Sequence, residues 1–293
     1  MKKYPFKKEQ DLIDGVIETL FENPTLKRFF LDHDLSHDDI ENDLNLYMTF
    51  AREQPLCLDC EGLDFCRQDT LGYQPELTFE GGRARLSYKA CNFLRDAHQK
   101  DKAQSRLKAL YMPQMILAAR LDDFHMKTDA RQTLYKRIMG IVNQAKLNEP
   151  LKGLYITGPY QIGKTYALGA LANELAGLGR EVIIAYYPDL VREIKSSLRT
   201  GELEIIVRNL KTVDVLLLDD IGGEAPSSWV RDEVLGPVLQ HRLLDHKPTF
   251  FSSNLPMKEL ANALIDTDQQ ADKIKAYRMI ERIKALADEI VLK

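Results

Sequence analysis

The sequence predicts an α/β chain: a doubly wound parallel sheet carrying a phosphate-binding loop, preceded by a small domain of helices and a β-hairpin with a cysteine metal site. Three stretches predict it. Residues 154–165 read as a buried strand, a G-x-x-x-x-G-K-T turn and a helix start. Residues 213–220, V-D-V-L-L-L-D-D, read as a second buried strand closed by two acids. All four cysteines, Cys57, Cys60, Cys66 and Cys91, fall in the first third of the chain.

Composition sets the outer bounds. At 293 residues the length suits about two domains, and a hydrophobic share of 44 % suffices for a packed core. No run approaches the ~18 apolar residues a membrane span needs. The N-terminal M-K-K-Y-P-F-K-K-E-Q has no apolar run behind its lysines, so no signal peptide and a cytoplasmic location are expected. Net charge is −4. Any contact with nucleic acid must then come from a local basic patch.

The first domain is expected over residues 1–95. Leu12, Ile13, Val16, Ile17, Leu20 and Phe21 form a helical stripe that Asn23-Pro24 ends. Leu26, Phe29 and Phe30 make a second apolar group. Ser36 and Asp39 form a capping box for a helix placing Ile40, Leu44, Tyr47 and Met48 on one face. These stripes read as core; a partner groove is the sharper alternative. A hairpin follows, Leu77–Phe79 and Ala84–Tyr88 turning at Gly81-Gly82. Cys57-x-x-Cys60 is a tight knuckle presenting two thiolates to one tetrahedral ion. Cys91 would close a structural zinc site from the end of the hairpin, with Cys66 as fourth ligand and His98 or Glu61 as alternatives. Free thiols or a redox pair are the other readings. Residues 96–115, helix-prone, charged and poor in large apolars, are expected to be a linker helix.

The second domain is expected over residues 116–293. A helix over 116–148 carries Leu134, Ile138, Ile141 and Val142 on one stripe and precedes the first strand. The loop Gly158, Pro159, Tyr160, Gln161, Ile162, Gly163, Lys164, Thr165 and Tyr166 would wrap a triphosphate in backbone N–H groups, which need glycine turns. The helix beginning at Lys164 adds its positive end. Lys164 would reach the β- and γ-phosphates, and the Thr165 hydroxyl would ligate Mg²⁺. A strand over 182–187 follows, then a helix capped by Asp189 and another over 202–210. In the acidic pair, Asp219 is the Mg²⁺ partner, and Asp220 would orient or deprotonate the attacking water. Gly236-Pro237 should kink or split the helix over 229–244. A strand at 248–254 ends in Asn254, placed to touch the γ-phosphate or the water; a turn-forming Asn is the alternative. The last predicted element is an amphipathic helix over 272–286 bearing Arg278 and Arg282.

Taken in order, G-P-Y-Q-I-G-K-T, L-L-L-D-D-I-G, F-F-S-S-N and Y-R-M-I-E-R-I resemble the helicase loaders of bacterial replication, the DnaI/DnaC group of AAA+ P-loop ATPases. The resemblance spans roughly residues 107–293, and the cysteine-bearing front resembles the DnaI branch found in low-GC Gram-positive bacteria. It implies that Asp219 and Asp220 are the Walker B pair, although many AAA+ proteins carry Glu at the second place, and the shorter acid suggests slow or stimulated hydrolysis. It implies that Asn254 is sensor 1 and that Arg282, or Arg278 beside it, acts as an arginine finger on a neighbouring subunit's ATP. No sensor 2 arginine can be placed before Lys293. It implies that Arg192, Lys195 and Arg199 touch single-stranded DNA, against the plainer reading of a solvated face. It implies a hexameric replicative helicase as partner of the first domain, and self-association through the second.

The expected function is therefore an ATP-dependent loader of the replicative helicase onto single-stranded DNA in primosome assembly, with ATP, Mg²⁺ and structural Zn²⁺. A transposition-helper ATPase shares the second domain but not the cysteine-bearing front. A nucleotide-switched scaffold with incidental hydrolysis is the rival from another class. A small-molecule kinase would need a substrate pocket and lid that the sequence does not offer.

Overall fold

The computed structural model describes residues 6–198 and 201–293, and the chain divides into two units at Gln99 and Lys100. In the first unit, α1 (Phe6–Glu22) is followed by α2 (Pro24–Asp32), whose N-cap is Asn23. The Asn23 side chain accepts from the backbone N–H groups of Thr25 and Leu26. The single helix expected after Ser36 is two: α3 (His37–Asn42), with the Ser36–Asp39 capping box formed as predicted, and α4 (Leu44–Glu53). The break at Asp43 redirects the stripe. Ile40, Tyr47 and Phe50 are buried, while Met48 is exposed. Ile17, Leu20, Leu26 and Phe30 join them in the core of this unit.

Two single-turn helices, Gln54–Cys57 and Leu63–Phe65, lead into the hairpin β1 (Tyr73–Glu80) and β2 (Arg83–Ala90). Glu80 pairs with Arg83 across Gly81-Gly82, both at positive φ, the two-residue turn that matches strand twist. Ala84 adds to the helical core from the hairpin, with Leu77, Phe79 and Leu86 packed against it.

The helix α5 (Asn92–Arg106) runs directly into β3 (Leu107–Leu110). Residues 96–115 are therefore more than a linker, since β3 is the edge of a six-stranded sheet in the second unit. The expected helix over 116–148 is likewise two pieces, α6 (Gln114–Leu117) and α7 (Asp129–Lys146), the latter capped by Thr128. Then come β4 (Gly153–Thr157), α8 (Lys164–Gly177), β5 (Val182–Tyr186), α9 (Tyr187–Ser197), α10 (Leu203–Thr212) and β6 (Val215–Asp219). The helix predicted to break at Gly236-Pro237 is a π-helical stretch, Val230–Leu235, followed by α11 (Gly236–Leu244). The wider turn accommodates a proline that donates no hydrogen bond. The chain continues as β7 (Thr249–Ser253), α12 (Met257–Ala263), α13 (Gln270–Leu286) and a strand the sequence did not suggest, β8 (Ala287–Val291).

The sheet order is β3-β5-β6-β7-β4-β8, with all pairs parallel. Strand alternation divides the core in two. Leu216 and Leu218 of β6 pack with α9, α11 and α13 residues on one face. Val215 and Leu217 pack with α7 and α8 on the other. Burial on both faces explains why these strands read as continuous apolar runs. The chain leaves β4, passes through α8 and enters β5 beyond β7 and β6. The crevice at the carboxyl ends of β4, β6 and β7 is thus a switch point, where ligands of such sheets bind. Among the described residues no helix is long and apolar enough to cross a membrane.

Candidate active site

The loop between β4 and α8 is built on turns that demand glycine. Gly163 has φ +93° and stands as the N-cap of α8. Gly158 has φ +153°, and a Cβ there would lie 2.3 Å from the Leu292 carbonyl oxygen. That oxygen lies just past β8, and the Leu292 N–H donates to the Thr157 carbonyl at 2.7 Å. The unpredicted strand thus supports the first glycine of the loop. Lys164 is buried, and its ammonium donates to the carbonyls of Gly158 (2.9 Å) and Pro159 (2.7 Å) and to Asn254 Oδ1 (2.7 Å). Burial lowers its pKa, opposed by the charges of Asp220 and Asp219. Tyr160 stands exposed at the loop tip.

The side chains predicted from three separate stretches meet here in a closed circuit. Thr165 Oγ1 donates to Asp219 Oδ2 at 3.0 Å. Ser252 Oγ donates to Asp219 Oδ1 at 2.5 Å and accepts from the Asp220 N–H at 3.0 Å. Asn254 Nδ2 donates to Asp220 Oδ1 at 2.7 Å, and Asn254 Oδ1 accepts from Lys164. Asp219 is 3 % exposed. Burial raises its pKa against the hydrogen bonds from Ser252 and Thr165. A buried carboxylate facing a hydroxyl is the hard oxygen pair that suits Mg²⁺. Asp220 adopts φ +59°, a left-handed conformation rare outside glycine, which turns its carboxylate out of the strand.

Four residues of this neighbourhood escaped sequence reasoning. Ser252 links the two aspartates. Tyr186 ends β5 with its hydroxyl 3.5 Å from Asp220 Oδ2. Glu224 follows the acidic strand and accepts from the Gly222 N–H at 2.9 Å; burial pushes its pKa up to about 7. Arg131 of α7 donates to the Ile162 carbonyl at 3.2 Å. Only position at a strand end could have hinted at Ser252 and Tyr186, and it is not specific.

The remaining predicted residues lie elsewhere. Arg282 Nε donates to Gln240 Oε1 of α11 at 3.0 Å, and Arg278 is exposed on the same helix. Arg192 is exposed on α9 and paired with Asp189. Lys195 is exposed one turn on, and Arg199 lies outside the described residues. The four thiols are half-buried and free of disulfides. Cys57 Sγ accepts from Gln68 Nε2, Cys60 Sγ donates to the Gly62 carbonyl, and Cys66 Sγ accepts from the Gly72 N–H. The Cys91 N–H donates to the Gly72 carbonyl, so Gly72 brackets Cys66 and Cys91. Their donor chemistry suits zinc. Among the described residues, however, no three of these sulfurs lie within 4.8 Å of one another. The geometry is therefore not that of a closed four-thiolate site.

Residues 74–285 match the family of IstB-like ATP binding proteins, and residues 1–88 match the N-terminus of primosomal protein DnaI. The replicative helicase loader DnaI of Bacillus subtilis (strain 168) is 37 % identical over 254 residues, spanning 86 % of this chain and 82 % of its own. A crystal structure of DnaI superimposes with a TM-score of 0.59 at 41 % identity, over 64 % of this chain and 98 % of that one. A putative primosome component from Streptococcus pyogenes serotype M3 does so with a TM-score of 0.56 at 31 % identity, over 66 % and 96 %.

Proposed function

Because the chain belongs to the DnaI family of replicative helicase loaders, we propose that its circuit of site residues is a working ATPase that drives helicase loading in primosome assembly. The observation that carries this reading is the linkage Thr165–Asp219–Ser252–Asp220–Asn254–Lys164. It joins the phosphate loop to two neighbouring strand ends. Lys164 exchanges its loop carbonyls for the β- and γ-phosphates. Thr165 and Asp219 would hold Mg²⁺, whose charge neutralises the phosphate oxygens. Asp220 accepts the proton of the attacking water, and Asn254, already bonded to both Asp220 and Lys164, fixes where that water stands relative to the phosphate. Arg282 completes the site from a neighbouring subunit.

The partners are a hexameric replicative helicase, gripped by the first unit, and single-stranded DNA, touched by the exposed face of α9 at Arg192, Lys195 and Arg199. The location is the cytoplasm. The decisive experiment is a pull-down of the cell's replicative helicase with and without ATP, followed by a loading assay. Wild-type protein captures and loads the helicase; Lys164→Ala captures it but fails to load. Intact loading by Lys164→Ala would sink the ATP-driven reading. Loading retained by an Asp220→Asn variant that cannot turn over ATP would favour the nucleotide-switched scaffold instead. A transposition helper is disfavoured by the match of residues 1–88 to a primosomal N-terminus.

Structural zinc on Cys57, Cys60, Cys66 and Cys91 is part of the same proposal, supported by donor type and the C-x-x-C spacing, and binding would have to draw the sulfurs closer together than they stand here. Such an ion would supply folding energy to a small unit. Metal analysis should find about one zinc per chain and a loss in Cys60→Ser; undiminished zinc in that variant removes the assignment.

A further inference from the structure

Arg131 lies outside every motif of the ATP site, yet it is built into the phosphate loop. It sits in the first turn of α7, three residues beyond the N-cap Thr128, whose hydroxyl accepts its backbone N–H. Its guanidinium stacks on the Phe124 ring at 4.7 Å from the centroid. One terminal nitrogen donates to the Ile162 carbonyl at 3.2 Å. The other lies against Gly163, where a Cβ would come within 3.2 Å of it. The Nε is buried and has no hydrogen-bond partner.

Where an N–H group of a phosphate loop points inward, the carbonyl of the same peptide points outward and must be satisfied there. Ile162 immediately precedes Gly163, the residue with φ +93° that caps α8. Its carbonyl shares one planar peptide unit with the Gly163 N–H and points the opposite way, so its orientation decides whether that N–H faces the phosphates. Arg131 holds that carbonyl from outside, and Phe124 holds Arg131. The second glycine of the motif accordingly has two jobs here: it turns the chain, and it leaves room for the guanidinium.

We propose that Arg131 is a positioning residue of the ATP site, clamping the Ile162 carbonyl outward so that the loop is preset for the triphosphate. This rests on the reading of the loop as an ATP site. The clamp acts on binding, because the loop conformation is needed as soon as the phosphates arrive, whereas Asp220 and Asn254 act on the water.

The test is the affinity of the full-length protein for a fluorescent ATP analogue, together with KM and kcat for ATP. Arg131→Met keeps the stem against Phe124 and removes the donors; Arg131→Lys keeps the charge. Loss of a hydrogen bond from a charged group corresponds to a weakening of about 10- to 100-fold. Arg131→Met should weaken binding and raise KM by that factor, with kcat at saturating ATP within about twofold, and Arg131→Lys should fall between it and wild type. Wild-type affinity in Arg131→Met overturns the proposal. So does a fall in kcat that tracks a lowered melting temperature of the nucleotide-free variant, because that is the mark of a general packing role. Failure of the wild-type protein to bind ATP, with Lys164→Ala as the control, refutes the ATP-site reading itself and is distinct from either result.

Discussion

Glu224 shows how much a single side chain can depend on its surroundings. Its carboxyl is drawn back beneath the acidic loop by the Gly222 N–H, and burial, with the charge of Asp220 adding to it, raises its pKa to about 7 against the pull of Lys195. A raised carboxyl pKa means that the folded chain keeps a proton the unfolded chain has released. Stability therefore falls as pH climbs from about 4.5 to about 7 and is level on either side. The shift corresponds to at most ~3 kcal/mol. Glu224→Gln keeps an oxygen for Gly222 and cannot ionise. Urea unfolding should show the variant matching wild type near pH 4 and exceeding it by about 1–3 kcal/mol at pH 8. Parallel pH profiles for the two proteins would show that the group is solvated after all. The same residue marks a limit of sequence reading. Lys164, Thr165, Asp219, Asp220 and Asn254 were legible because each belongs to a spaced motif. Glu224, Ser252, Tyr186 and Arg131 belong to none, and only the folded sheet brings them to the motif residues.

At the scale of elements, the strands that read clearly were those buried on both faces, β4, β5, β6 and β7. The two that did not are the sheet edges. In β3, L-K-A-L is too short to show a pattern. In β8, A-D-E-I-V carries two acids that the fold accommodates locally. Asp288 pairs with Arg137 and Lys152, and Glu289 accepts from the Met257 N–H. None of these three partners is visible from spacing. Arg242 is hidden for the same reason. It reads as one charge on an amphipathic helix, yet it is wholly buried and donates to Thr249 Oγ1 and to the carbonyls of Leu210, Lys211, Val213, Asp214 and Pro248. It thus ties the end of α10 to the starts of β6 and β7, strands that carry Asp219 and Asn254 at their other ends. Burial lowers its pKa to about 10, still high enough to keep it charged at neutral pH. Arg242→Met would fill much of the space but leave those carbonyls unpaired. It should cost about 3 kcal/mol or more in denaturant unfolding. Arg242→Lys should recover little, because an ammonium lacks the planar fork. A loss under about 1 kcal/mol would mean that water replaces the guanidinium.

At the scale of the whole molecule, the proposed role of Arg282 makes a prediction about assembly. The phosphate loop follows β4, while Arg282 stands on α13 and bonds Gln240 of its own α11. α13 runs without a break into β8, which pairs with β4 along its length, and Leu292 then meets Thr157 and Gly158. A force on Arg282 therefore has a short covalent and hydrogen-bonded route to the loop of its own chain, and its guanidinium would have to leave Gln240 to serve another's. Arranged head to tail, each copy would offer its loop on one side and its arginine on the other, the heterologous contact that closes rings. Two defective variants should then complement each other. Lys164→Ala lacks a working loop but supplies Arg282; Arg282→Ala supplies the loop and lacks the finger. Each alone should be inactive in ATP hydrolysis, although Arg282→Ala still binds ATP. An equal mixture that assembles at random places both intact residues at about a quarter of its sites, and hydrolysis should return to that order. A mixture no more active than its parts, measured under conditions where wild-type protein assembles and turns over, would place the whole catalytic apparatus within one chain.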